Sequence, residues 1–167
     1  MLLPSSAHLI RQPVAGYIFV DADIPQNGMS RLDMLEEEIP ELAQGLRRTL
    51  MDGTLIPTWT DEDLRDIIPD AGLRQDTLAE LHPRPLVFFE EPIPVLDGWP
   101  DAPCGYLCFT QTGSYASSVQ RAQQEGWAYA ELDGAHFHML VDPTAVAGAL
   151  LGLVEQISIA GCSRSQR

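Results

Sequence analysis

The feature that most constrains the fold is an alternation: the last two of three apolar, strand-like runs are each followed at once by a helix-like segment. The first run, Val14-Ala15-Gly16-Tyr17-Ile18-Phe19-Val20, is continuously apolar, aromatic or β-branched and stops at Asp21-Ala22-Asp23-Ile24-Pro25. That pattern predicts a strand buried on both faces with a polar carboxyl end, the kind found in parallel sheets. A second run, Leu107-Cys108-Phe109-Thr110, lies within residues 105–112 and ends in the turn-forming pair Gly113-Ser114. A third spans residues 128–132. Helix-like segments follow at 116–125, closed by Gly126, and at 143–157. Strand followed by helix, repeated, predicts a parallel α/β sheet with flanking helices.

Between the first two runs lies an insertion, residues 26–101, of helical texture. Residues 30–51 carry a helical pattern ending at Asp52-Gly53, and Pro40 must kink it or open a second helix there. Thr60 is a natural N-cap for a helix that starts with Asp61-Glu62-Asp63. Residues 76–81 predict a third short helix, stopped before Pro83. The apolar stretch 85–94 ends in prolines that cannot sit inside a sheet. A helical insert of this size is expected to act as a lid over the carboxyl edge of the sheet, where open α/β sheets bind ligands. The tail, residues 158–167, is small and polar and is expected to fray.

With 167 residues, 45% of them hydrophobic, the chain is expected to form one domain, 1–167, with the insert inside it. Its net charge of -14 repels phosphate backbones and anionic lipid, so neither nucleic acid nor a membrane is an expected partner. Cys104, Cys108 and Cys162 are odd in number and lack metal-ligand clustering, which fits core thiols in a reducing compartment. The start, Met1-Leu2-Leu3-Pro4-Ser5-Ser6, has neither a charged leader nor an apolar run long enough for a signal peptide or a span. A cytoplasmic location is the expectation.

The C-terminal third then supplies the chemistry. Residues Ala130-Glu131-Leu132-Asp133-Gly134-Ala135-His136-Phe137-His138 lead through Asp142-Pro143 into an apolar helix containing Val146. This resembles the strand, Gly-Ala-His turn and Pro-opened helix of the α/β-hydrolase superfamily, in the small bacterial type with a helical lid. The likeness covers nearly the whole chain and implies a partial α/β-hydrolase fold. The nucleophile elbow of that family, Gly-x-Ser-x-Gly, occurs nowhere in the sequence. Residues 2–13 resemble the helix that follows the elbow, so the chain is expected to begin mid-domain, after the serine and the oxyanion loop.

By resemblance His136 is the catalytic base, which takes a proton from serine and returns it to the leaving group. His138 is second choice. The family's usual position for the acid, after the strand containing Leu107-Cys108-Phe109, reads Thr110-Gln111-Thr112-Gly113-Ser114 and holds no carboxylate. An alternative within the superfamily places the acid after the preceding strand, which points to Asp21 or Asp23; Glu90 and Glu91 read as solvated lid residues. Phe137, His138 and Tyr115 are candidates for substrate contact, while Trp59, Trp99 and Tyr106 line either a pocket or the core. Ser5, Ser6, Ser114, Ser117 and Ser118 lack the glycine-flanked turn of a nucleophile and read as structural. No metal and no cofactor is implied.

The resemblance thus implies a serine-type hydrolase of small esters, thioesters or amides, present as its C-terminal portion and inactive until completed. Its partners would be a small-molecule substrate and a complementing N-terminal chain. The alternative is a non-catalytic binding module whose exposed sheet edge is covered by a homodimer or another partner. A lone acid/base role for His136 in isomerisation or elimination is a third reading.

Overall fold

The computed structural model describes residues 3–7 and 9–164, with side chains through Ile159. In chain order the elements are α1 (Leu3–Ala7), β1 (Tyr17–Val20), α2 (Arg31–Glu38), α3 (Pro40–Met51), α4 (Asp61–Leu64), α5 (Ala71–Ala79) and α6 (Leu86–Glu90). They continue with β2 (Cys104–Phe109), α7 (Ala116–Gln124), β3 (Ala128–Leu132), α8 (His138–Val141) and α9 (Pro143–Arg164). The chain divides into two compact units, Met1–Ile24 with Leu96–Arg167, and Pro25–Val95.

The first unit carries a parallel sheet in the order β1-β2-β3. Its register sets Tyr17 opposite Cys104 and Gly105 opposite Ala128. Strand side chains alternate between faces. Tyr17, Phe19, Cys104 and Tyr106 point to the side of Ala122 in α7, where Trp99 and Trp127 complete an aromatic cluster. Leu107 and Phe109, with Ile18 and Val20, point to the opposite side and meet Val146 and Leu153 of α9. Both faces of the sheet are therefore covered by helices, which is why the strands lack a polar face. The first strand begins at Tyr17 rather than Val14. Just before it, a β-carbon on Gly16 would lie 2.9 Å from the Ile157 side chain and 3.0 Å from the Pro103 carbonyl, so only glycine lets α9 pass this close.

Gly126 ends α7 with φ +68, the left-handed conformation of a helix C-terminus, and the Trp127 N–H returns to the Ala122 carbonyl at 2.9 Å. At the other end of the chain α9 continues to Arg164, past Ile157, where the sequence pattern ended it. Residues 165–167 of the tail lie outside the described residues.

The second unit is helical. Pro40 opens α3 rather than kinking one long helix, and Ile39 separates it from α2. Capping boxes start two helices: Ser30 with Asp33 on α2, and Thr60 with Asp63 on α4. The third helix predicted at 76–81 is instead α5, because the Asp70 carboxylate accepts the Leu73 N–H at 2.8 Å and starts the helix earlier. The nearly buried Arg74 donates to Asp61 at 2.8 Å and to the carbonyls of Ile68 and Pro69, both at 2.9 Å, which ties α5 to α4. Leu32, Leu50 and Phe89 form a small core with Leu46, Ile56 and Leu86. The apolar stretch from Leu86 becomes the short helix α6. The base of the unit is closed by backbone bonds from Gly28 to Ile93 and from Ile93 to Met29.

Candidate active site

The three parallel strands each deliver one side chain to a common point at their carboxyl ends. Asp21 follows β1 with φ 44, a left-handed conformation that aspartate tolerates better than most residues. Its N–H still donates to the Leu107 carbonyl at 2.7 Å, so the turn happens while the residue is held on the ladder. The residue is 1% exposed. A carboxylate so buried requires hydrogen-bond donors in place of water. It has three: the Phe109 N–H reaches Oδ1 at 3.1 Å, the Thr112 hydroxyl reaches Oδ2 at 2.7 Å, and His136 Nδ1 reaches the same Oδ2 at 2.8 Å.

An ionised carboxylate only accepts, so opposite an ionised Asp21 the proton of this bond lies on His136 Nδ1 and the lone pair falls to Nε2. The His136 side chain is 39% exposed, against 1% for its partner Asp21. Rings of Tyr115 and Phe137 flank it at 5.6 and 5.3 Å between centroids. Of the two candidate aspartates, Asp21 is the one bonded to His136. Asp23 lies two residues on and adds to the negative field around the Tyr106 hydroxyl.

Neighbouring bonds fix the turns that present these groups. The Tyr106 hydroxyl donates to the Ala22 carbonyl at 2.9 Å and accepts the Ala22 N–H at 3.2 Å, bracing the turn after β1; burial pushes this phenol well above its ordinary pKa. Ile24 N–H donates to Ser118 at 3.0 Å, which gives that buried serine a structural role. The turns after β2 and β3 are joined by backbone bonds, Thr110 N–H to Leu132 and Gln111 N–H to Gly134, both 3.0 Å. Side chains repeat the link, as Gln111 and Thr110 both donate to Asp133 Oδ1 at 3.0 and 3.1 Å. Those two bonds, Gln111 first, hold the Asp133 carboxyl below the usual range.

His138 is placed differently from His136. Its ring meets Phe109 edge-on at 5.5 Å between centroids and lies over Gly134, where an added β-carbon would come within 2.4 Å of it. Trp99 and Tyr106 belong to the core, whereas Trp59 is 41% exposed. A cavity of 340 Å³ beside the site is lined by Asp21, Cys108, Phe109, Tyr115 and Gln120, among others. Burial pushes the Cys104 thiol up to about 12 and raises Cys108 as well, so neither is an activated nucleophile. The side chain of Cys162 lies outside the described residues. Among the described residues no cluster of His, Cys, Asp or Glu could hold a metal ion, and no helix is long and apolar enough to cross a membrane.

No family model matches the chain, and no curated protein matches it. A solved structure does. An extracellular α/β-hydrolase from a Paenibacillus species, described as sharing structural and functional homology with tobacco salicylic acid binding protein 2, superposes with a TM-score of 0.66. The match covers 90% of this chain at 18% identity. The fold is that of a partial α/β hydrolase. The chain spans 66% of the length of that structure. At this identity the likeness is one of fold, and the chemistry rests on the strand ends themselves.

Thr112, Thr110, Gln111 and Asp133 are site residues that the sequence pattern did not single out. Their signal lies in the turn after β2, where two threonines and a glutamine supply hydroxyl and amide groups that can brace a turn.

Proposed function

We propose that His136 and Asp21 are the base and the acid of a serine-type hydrolase acting on small esters, thioesters or amides. The nucleophile and oxyanion donors would come from polypeptide outside these 167 residues. The observation that carries the proposal is the 2.8 Å bond from His136 Nδ1 to a buried carboxylate. It fixes the tautomer in which Nε2 accepts the serine proton, and it places a negative charge where the imidazolium forms. After the serine attacks the carbonyl, His136 returns that proton to the leaving group. Water then attacks the acyl-enzyme with His136 again as base. Tyr115 and Phe137, beside the imidazole, would bound the substrate's acyl or alcohol group, and the insert would act as the lid. The unpaired thiols of Cys104 and Cys108 support a cytoplasmic setting.

The test is the intact mass of the protein in its own cells, read together with labelling by a fluorophosphonate. A product heavier than 18.4 kDa, or an 18.4 kDa chain in complex with a second polypeptide, is expected to carry the label. In that assembly His136→Ala and Asp21→Asn are each expected to lower turnover by on the order of 10³–10⁴. A soluble 18.4 kDa product that neither labels nor hydrolyses an ester panel would overturn the proposal.

One observation favours a second reading. Among the described residues β1 pairs only with β2, which leaves its outer edge for a strand from elsewhere. A non-catalytic binding module completed by a second copy or another chain would use that edge, and an unlabelled homodimer in native mass spectrometry would support it.

A further inference from the structure

We infer that Thr112 is a positioning residue for the acid–base pair: its hydroxyl holds Asp21 Oδ2 in the orientation that receives His136. The inference rests on the pairing of Asp21 with His136 and deepens it. A carboxylate can rotate about its last torsion, and terminal torsions of this kind are broad. A carboxylate held by His136 alone would exchange its two oxygens or tilt away from the ring.

Here the rotation is blocked at both oxygens. The Phe109 N–H, a rigid backbone donor at the end of β2, anchors Oδ1 at 3.1 Å. The Thr112 hydroxyl anchors Oδ2 at 2.7 Å, and Oδ2 is the oxygen bonded to His136. With the residue 1% exposed, bulk water is not at hand to replace either donor. Thr112 is itself held by its N–H to the Phe109 carbonyl at 3.2 Å, in a tight turn completed by Gly113 at φ +69. The turn after β2 has no carboxylate, and its threonine instead steadies the carboxylate supplied by the neighbouring strand. Phe109 and Thr112 thus make the β2 end a mould for the acid.

Proton NMR of the intact chain, without substrate, tests this. In the wild-type chain the His136 Hδ1 proton is expected as a slowly exchanging downfield resonance, with a nuclear Overhauser contact to the Thr112 hydroxyl proton because both converge on one oxygen. Thr112→Val keeps the shape and removes the hydroxyl; it is expected to speed exchange of Hδ1 at least tenfold or to broaden it away. Thr112→Ser is expected to restore it. Amide signals of Leu107 and Phe109 report that the sheet is intact. Should the valine variant fail to fold, the wild-type Overhauser contact decides alone. A visible Hδ1 that lacks that contact, or that is unchanged in Thr112→Val, overturns the positioning role while leaving the pair standing. Absence of any protected Hδ1 in the wild type overturns both.

Discussion

The strand ends of the sheet unit and the helix starts of the insert are fixed by hydrogen bonds of different reach. In the sheet unit the decisive bonds join residues far apart in the chain: Phe109 to Asp21 across 88 residues, Thr112 to Asp21 across 91, and His136 to Asp21 across 115. In the insert the bonds that start the helices are local, with Ser30 to Asp33, Thr60 to Asp63 and Asp70 to Leu73 each spanning three residues, while a few longer ones such as Arg74 to Asp61 and Gly28 to Ile93 join its pieces. Charge follows the same division, since fifteen of the 24 acidic residues lie between 25 and 95, many in helix first turns or caps. A site built from long-range bonds exists only when the whole sheet is formed. A unit built from caps can loosen helix by helix.

The sharpest way to break this comparison is at Asp21. Asp21→Ala leaves three donors facing a buried space, and in urea denaturation it is expected to lower stability by about 2–4 kcal/mol. A loss well under that range would mean that the strand ends are less tightly coupled than their bonds imply. Next comes Gly134→Ala, whose β-carbon would sit 2.4 Å from the His138 ring. Displacing that ring is expected to cost about 1–3 kcal/mol and to shift the His138 resonances, with those of His136 following through the shared turn.

The insert should respond more weakly and more locally. Ser30→Ala removes one capping box and is expected to cost about 1 kcal/mol, with faster amide exchange confined to residues 25–95. Smallest is the acid response, read by amide exchange across a pH series. Asp33, Asp61 and Asp63 are held below their ordinary value of 3.8 by Ser30, Arg74 and Thr60 respectively, and they are ionised in the folded chain. Lowered carboxylates stabilise the fold above pH 3.8 and lose that contribution as pH falls through their lower folded values. In the sheet unit Asp133 is lowered in the same way. Insert amides are therefore expected to lose protection first below about pH 3.8, with little change between pH 7 and 5. Simultaneous loss in both units would erase the distinction between them.

How much of this was legible in the chain differs between the same two regions. The strands, the parallel sheet and the turn bearing His136 follow from apolar runs and turn residues, because burial on both faces imprints composition directly. The start of α5 lies ahead of the helical pattern at 76–81 although Asp70 is a good cap, because Gly72 in its first turn is a weak helix former. At the site, the sequence leaves Asp21 and Asp23 open as the carboxylate facing His136, and the structure bonds Asp21 to it. The choice depends on which residue turns left-handed at the strand end and meets Phe109 and Thr112, donors nearly ninety residues or more away. No local pattern encodes a partner at that distance. The extension of α9 past Ile157 was likewise hidden, since Ser158 and Gly161 are weak helix formers by propensity.

The register of β1, β2 and β3 has a consequence for how such a chain can vary. Parallel strands run about 4.8 Å apart, and the ladder together with the bonds between the turns after β2 and β3 sets the separations among Asp21, Thr112 and His136. The connection between Ile24 and Leu96 closes on itself at Gly28, Met29 and Ile93. The sheet behaves as a jig and the insert as an exchangeable cartridge. A cartridge of another length, spliced at the same two points, is expected to leave the bond between Asp21 and His136 in place.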